Sequence, residues 1–185
     1  MRKRFARSGS NAVWLSSLVL LAIAPGAALG EGDENVRQTV ARISFVSGEV
    51  SYSRGDDPDA WDKAIPNVPM IQGDRLWAGS KGQAELQLAA GGVFLGAGTG
   101  LAALSLTHGV SQFSLDSGAA TFRVNRLGRG EVFEVDTPNA AVTFLAPGTY
   151  RIDVDGEGGT LVAVWYGSAR ALVGAGQCFE TGLTH

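Results

Sequence analysis

The residue types that carry most enzyme chemistry are scarce in this chain of 185 residues, which holds one cysteine and two histidines. His185 is the last residue, and His108 sits in Thr107-His108-Gly109, which reads as a turn. A hydrolytic triad needs a nucleophile, a base and an orienting carboxylate held in reach. Ser105 and Ser111 flank His108, yet no Gly-x-Ser-x-Gly elbow occurs. His and Cys spacing of the zinc type is missing. Asp56-Asp57-Pro58-Asp59-Ala60-Trp61-Asp62 gathers carboxylates of the kind that hold calcium, but without the central Gly and distal Glu of an EF-hand loop. A solvated loop is the expected state. Gly91 to Gly100 is rich in glycine like a phosphate-binding loop, yet such a loop must open a helix. The apolar pattern after it, Leu101 to Leu106, continues as strand or turn, so the glycines are expected to form tight β corners. The sequence therefore predicts no catalytic residue, no metal ligand and no bound cofactor.

Contact chemistry is better represented. Pro66 and Pro69 mark Ala64–Ile71 as an irregular or edge segment, because proline cannot donate to a strand ladder. Trp61 and Trp77 bracket that segment, where half-exposed aromatic rings anchor partners or sugars. Pinning the core or a loop is the competing role for both rings. The same prolines equally protect an edge from aggregation. Trp165 lies in the apolar run Leu161-Val162-Ala163-Val164-Trp165, which is expected to be a central strand covered on both faces.

Short strands must position these residues. Gln83-Ala84-Glu85-Leu86-Gln87-Leu88 alternates with period two and turns Ala84, Leu86 and Leu88 inward. Tyr150-Arg151-Ile152-Asp153-Val154-Asp155 does the same with Tyr150, Ile152 and Val154. Phe113-Ser114-Leu115 and Phe122-Arg123-Val124 are shorter cases, with Asp116-Ser117-Gly118 as the turn between them. Breakers recur throughout, and no amphipathic helix survives the glycine spacing. The expected fold is all-β: a single domain of short, mostly antiparallel strands, sandwich- or roll-like.

At the N-terminus, the basic run Arg2-Lys3-Arg4 with Arg7, the apolar stretch Val13–Ala24 and the small residues around Ala28-Leu29-Gly30 predict a cleaved export signal over 1–30. A flexible lead-in over 31–40 follows. The whole chain carries a formal charge of −3, and loss of the basic signal makes the remainder more acidic. Such a surface repels phosphate backbones and anionic membrane faces, so nucleic acid is not an expected partner. The apolar stretch falls short of the roughly 20 residues a bilayer needs and leaves with the signal, so no stable membrane span is expected after cleavage. The expected location is periplasmic or secreted, where the lone Cys178 allows no internal disulfide.

Several segments in order resemble the FecR-type domain. Ala41-Arg42-Ile43-Ser44-Phe45-Val46-Ser47-Gly48-Glu49-Val50 is similar to its opening hairpin. Gly73-Asp74-Arg75-Leu76, Gly82-Gln83-Ala84-Glu85-Leu86 and Leu115-Asp116-Ser117-Gly118 follow. Val135-Asp136-Thr137-Pro138-Asn139-Ala140 and Pro147-Gly148-Thr149-Tyr150-Arg151-Ile152 resemble two later strands, and Gly174-Ala175-Gly176-Gln177 the closing turn. The resemblance implies a FecR-like β domain over 41–177, a tail over 178–185, and a stand-alone exported member without the anti-sigma region of the iron-uptake regulators. It further implies a non-catalytic protein-interaction or sensory and adaptor module of the cell envelope. Trp61 and Trp77 are the candidate partner-binding residues. Binding of cell-wall or surface polysaccharide is the alternative.

Overall fold

The computed structural model describes residues 39–174 and 177–183; the expected export signal lies outside them. The strands are β1 (Ala41–Ser47), β2 (Val50–Arg54), β3 (Asp57–Lys63), β4 (Pro69–Met70), β5 (Arg75–Ala78), β6 (Gln83–Gln87) and β7 (Gly91–Leu95). They continue as β8 (Thr99–Leu106), β9 (Val110–Val124), β10 (Val132–Asp136), β11 (Ala140–Phe144), β12 (Gly148–Val154), β13 (Thr160–Val173) and β14 (Gln177–Leu183). Every element among the described residues is a strand, as the breaker rhythm implied.

Two sheets share these strands. The first runs from the opening half of β13 through β12, the closing half of β9, β7, β6 and β1 to β4. The second runs from β3 through β2, β5, β8, the opening half of β9, β10, β11 and the closing half of β13 to β14. All pairs are antiparallel except β9 with β10. The two long strands therefore belong to both sheets, and each bends at a glycine. Gly118 in β9 has φ 81° and Gly167 in β13 has φ 100°, a backbone region open to glycine at little cost. A Cβ on Gly118 would stand 2.5 Å from the Gly98 carbonyl oxygen, and one on Gly167 would overlap the Tyr150 hydroxyl. Asp116-Ser117-Gly118 is thus a corner within one strand and not a turn between two. Both need the same positive φ, so the sequence signal is shared.

The inner faces close on an aromatic cluster. Phe113, Phe122, Phe133, Phe144 and Tyr150 are all buried. Phe133 and Phe144 have ring centroids 5.2 Å apart, and Phe144 stacks on Tyr150 at 4.1 Å with planes 6° apart. Such pairs add about 0.5–1.5 kcal/mol each beyond their burial. Alternation holds where it was expected: Ala84 and Leu86 in β6, and Tyr150, Ile152 and Val154 in β12, all face this core.

Three expectations are corrected. Leu161–Trp165 is not covered on both faces: Leu161 is 66% and Trp165 55% exposed. This half of β13 pairs with β12 alone and forms an edge of the first sheet, so its outer face has no layer over it. Asp57–Lys63 is an edge strand and not a loop, exposed along its whole length. Residues 178–183 of the expected tail 178–185 pair, together with Gln177, with β13 as β14. The Ala64–Ile71 segment does contain a sheet edge, the short β4 beside β1.

Candidate binding surface

Strand β2 organises the outer face of the second sheet, because it pairs with β3 on one side and β5 on the other. Side chains opposite one another across an antiparallel pair share a face. Ser53 stands opposite both Trp61 and Arg75, and Ser51 opposite both Lys63 and Trp77. The register alone thus brings Trp61 and Trp77 to one side of the sheet. Trp77 also faces Gly100 on β8. A Cβ at Gly100 would lie 3.3 Å from the Trp77 ring, so the absent side chain leaves the indole a flat seat.

Trp61, Arg75, Trp77, Ala102, Asp116 and Ser117 line a shallow groove of about 180 Å³. Trp61 is 47% and Trp77 41% exposed, so neither ring is spent on the core. Ser114 Oγ donates to Asp116 Oδ1 at 2.6 Å and fixes the carboxylate at the groove wall. Ser53 is 1% exposed, and its hydroxyl has no hydrogen-bond partner. The two tryptophans named from sequence are therefore brought together. The proline segment is not brought with them, because β4 edges the first sheet while β3 and β5 belong to the second.

Sequence reasoning passed over Arg75, Asp116 and Asp74. Asp74 is buried and anchors this end of the sheet. Its carboxylate takes hydrogen bonds from Arg54 Nη1 at 2.7 Å, the Gly55 N–H at 3.1 Å and the Ile71 N–H at 3.0 Å. The Gly73-Asp74 pair gave a turn signal, and the ion pair it hides is visible only when the β2–β3 turn folds back onto it.

Other candidates stay apart. His108 sits in the β8–β9 turn, where the Thr107 N–H donates to the Val110 carbonyl at 2.9 Å. Cys178 is a free, exposed thiol on β14. Among the described residues no three His, Cys, Asp or Glu side chains gather closely enough to hold a metal ion. No described helix is long and apolar enough to cross a membrane.

A second concavity lies on the outer face of the first sheet. Phe45, Gln83, Glu85, Phe94, Thr121 and Arg151 line a cleft of about 450 Å³. Arg151 and Asp153 form a two-pronged pair, with Nη2 to Oδ1 at 2.6 Å and Nε to Oδ2 at 2.8 Å. This hydrogen bonding to Asp153 raises the Arg151 pKa above its ordinary value. Arg123 lies 5.3 Å over the Phe94 ring, a cation–π distance.

No curated protein and no solved structure matches this chain. A model of the family described as FecR protein matches residues 74–170, from the buried Asp74 anchor through both strand corners to β13. With more than half of its length matched, the chain belongs to the FecR protein family.

Proposed function

We propose that this protein is a non-catalytic module of the cell envelope that acts by binding another protein through the Trp61 and Trp77 face. The observation that carries the reading is the pairing of two half-exposed tryptophans in one groove beside an open sheet edge. Large amphipathic rings left in water at a concave spot are what an interface uses as anchors. Membership in the FecR family supports a regulatory or sensory contact in place of catalysis, and a periplasmic setting. Placing a photo-crosslinking residue at position 61 or 77, with exposed Lys81 as control, tests this in the native envelope. The expected result is one discrete protein adduct from 61 and 77 and none from 81. Equal labelling from all three positions would remove the tryptophans from the site.

The polysaccharide reading draws support from the cleft on the first sheet, where Phe94, Gln83, Glu85 and Arg151, the last held by Asp153, offer a ring and several planar polar groups together. Retention on a polysaccharide column that Phe94→Ala abolishes, and Trp61→Ala leaves intact, favours that reading.

A further inference from the structure

Strand β3 is the outermost strand of the second sheet, and β2 is its one partner. The hydrogen-bond phase of that pair shows which of its main-chain groups are free. The Ala64 N–H donates to the Val50 carbonyl at 2.9 Å. Inward and outward groups alternate along an antiparallel strand, so Asp62 faces β2 while the N–H and C=O of Trp61 and Lys63 point away from the sheet. An added strand finds its ladder there, beside the groove that holds Trp61 and Trp77.

The charge along this edge is one-sided. Asp56, Asp57, Asp59 and Asp62 stand against Lys63 on the strand itself and Arg75 in the groove, so with Asp116 five carboxylates face two cations; the four aspartates and Lys63 are all exposed. The ion pairs found among the described residues are Arg54–Asp74, Arg151–Asp153 and Arg170–Glu180, so none of these four carboxylates is neutralised by a fixed cation. The fifth, Asp116, stands at the groove wall. Two indole faces with a carboxylate beside them suit a lysine or arginine side chain, which gains cation–π and charge attraction together. Ser53 gives independent support, since its buried, unpartnered hydroxyl lies on this face between Trp61 and Arg75; buried polar atoms are normally satisfied.

We infer that β3 is an acceptor edge for an extended, cationic segment of a partner protein, which adds as a further strand and seats a basic side chain in the Trp61–Trp77 groove. This rests on the protein-binding reading of the same face and names the chemistry of its partner. Main-chain hydrogen bonds hold the added strand, while alternate side chains set specificity. The aspartates repel acidic or identical edges and admit a basic one, so one feature both guards the edge and selects the occupant.

The test uses the purified chain and three labelled peptides followed by fluorescence anisotropy. The first alternates Lys with Val. The second alternates Glu with Val. The third repeats the first with alternate amides N-methylated, which keeps the charge and removes the ladder donors. The Lys peptide is expected to bind, more weakly as salt rises, and the other two to lose binding. Asp59→Asn with Asp62→Asn should weaken it by roughly twofold to thirtyfold, the range that two exposed charge pairs supply. Circular dichroism checks that the variant, altered on a wholly exposed strand, remains folded. Equal binding of the N-methylated peptide overturns strand addition, and equal binding of the Glu peptide overturns the charge choice. Self-association of the chain that excludes the Lys peptide, or a neutral polysaccharide competing it from β3, also overturns the inference. If the inference fails while position 61 still cross-links to a discrete protein, the wider reading stands without it.

Discussion

Removing one oxygen, by Tyr150→Phe, tests how the corner between the two sheets is held. The Tyr150 hydroxyl reaches the Ala146 carbonyl at 2.5 Å and the Ser168 carbonyl at 3.1 Å, and it accepts the Ser168 N–H at 3.1 Å. It therefore ties the β11–β12 loop to the bend of β13 at Gly167. Phenylalanine keeps the ring stacked on Phe144, so the packing term is preserved and the polar term is isolated. The Ser168 N–H loses its acceptor and the Ala146 and Ser168 carbonyls lose the hydroxyl donor, at a cost of about 1–3 kcal/mol. For a domain of this size each 1 kcal/mol lowers the melting temperature by about 2–4 °C. The expected result is a lower urea midpoint with an unchanged slope. An unfolding free energy within about 0.5 kcal/mol of the parent's would refute the role given to the hydroxyl. A second arm uses alkaline pH. Burial pushes the Tyr150 pKa above its ordinary value of 10.0, outweighing the hydrogen bonds with Ser168 and Ala146 that lower it. The folded state thus favours the protonated phenol. That stability is fully present below the ordinary tyrosine value and is lost as pH rises through the higher folded one. Between those values the parent should lose more stability than Tyr150→Phe, so their difference narrows.

Three further substitutions separate framework from surface. Gly118→Val should cost more than roughly 3 kcal/mol, because positive φ and the contacts with Gly98 and Thr99 both oppose a side chain; a urea titration measures it. Asp74→Ala should cost roughly 2–3 kcal/mol by leaving the Arg54 guanidinium and the Gly55 and Ile71 N–H groups without their acceptor. Asp74→Asn, which keeps an acceptor oxygen, should fall between it and the parent. Trp61→Ala should stay within about 1 kcal/mol of the parent, since a surface side chain away from the core holds little of the fold. A loss above roughly 2 kcal/mol would make that ring a structural pin.

What could be read in advance was set by burial on one face. In β6 and β12 one side of the strand meets the core and the other meets water, so period two is written directly into Gln83–Leu88 and Tyr150–Val154. Strand β3 carries no such signal, because both of its faces are wet and Asp57 to Asp62 read as a loop. Trp165 failed in the opposite direction. An apolar run reports that a strand is compatible with burial, but exposure depends on whether another layer lies over it. The opening half of β13 happens to be an edge. The groove itself was half legible: residue type singled out Trp61 and Trp77, while their meeting depends on β2 lying between β3 and β5, a long-range pairing with no local signature. Arg75 enters the site by that same pairing, and Asp116 enters through β8, which pairs with β5 on one side and β9 on the other.

Several residues of the matched region serve as joints. Asp74 anchors the β2–β3 turn, and Gly118 and Gly167 bend the two shared strands. Thr137 Oγ1 closes its own turn by accepting the Ala140 N–H at 3.1 Å, and Tyr150 ties the last corner. Each sits where a backbone direction changes, and a wrong side chain there lowers the stability of the fold. The proposed contact surface obeys different physics. Trp61 and the aspartates of β3 precede the family match, which starts at Asp74, and their exposed side chains can change at little cost in stability. Gly118→Val and Tyr150→Phe should therefore report on stability, whereas Trp61→Ala and the Asp59→Asn, Asp62→Asn pair should report on partner choice, and a double-mutant cycle between the two sets measures whether they act independently.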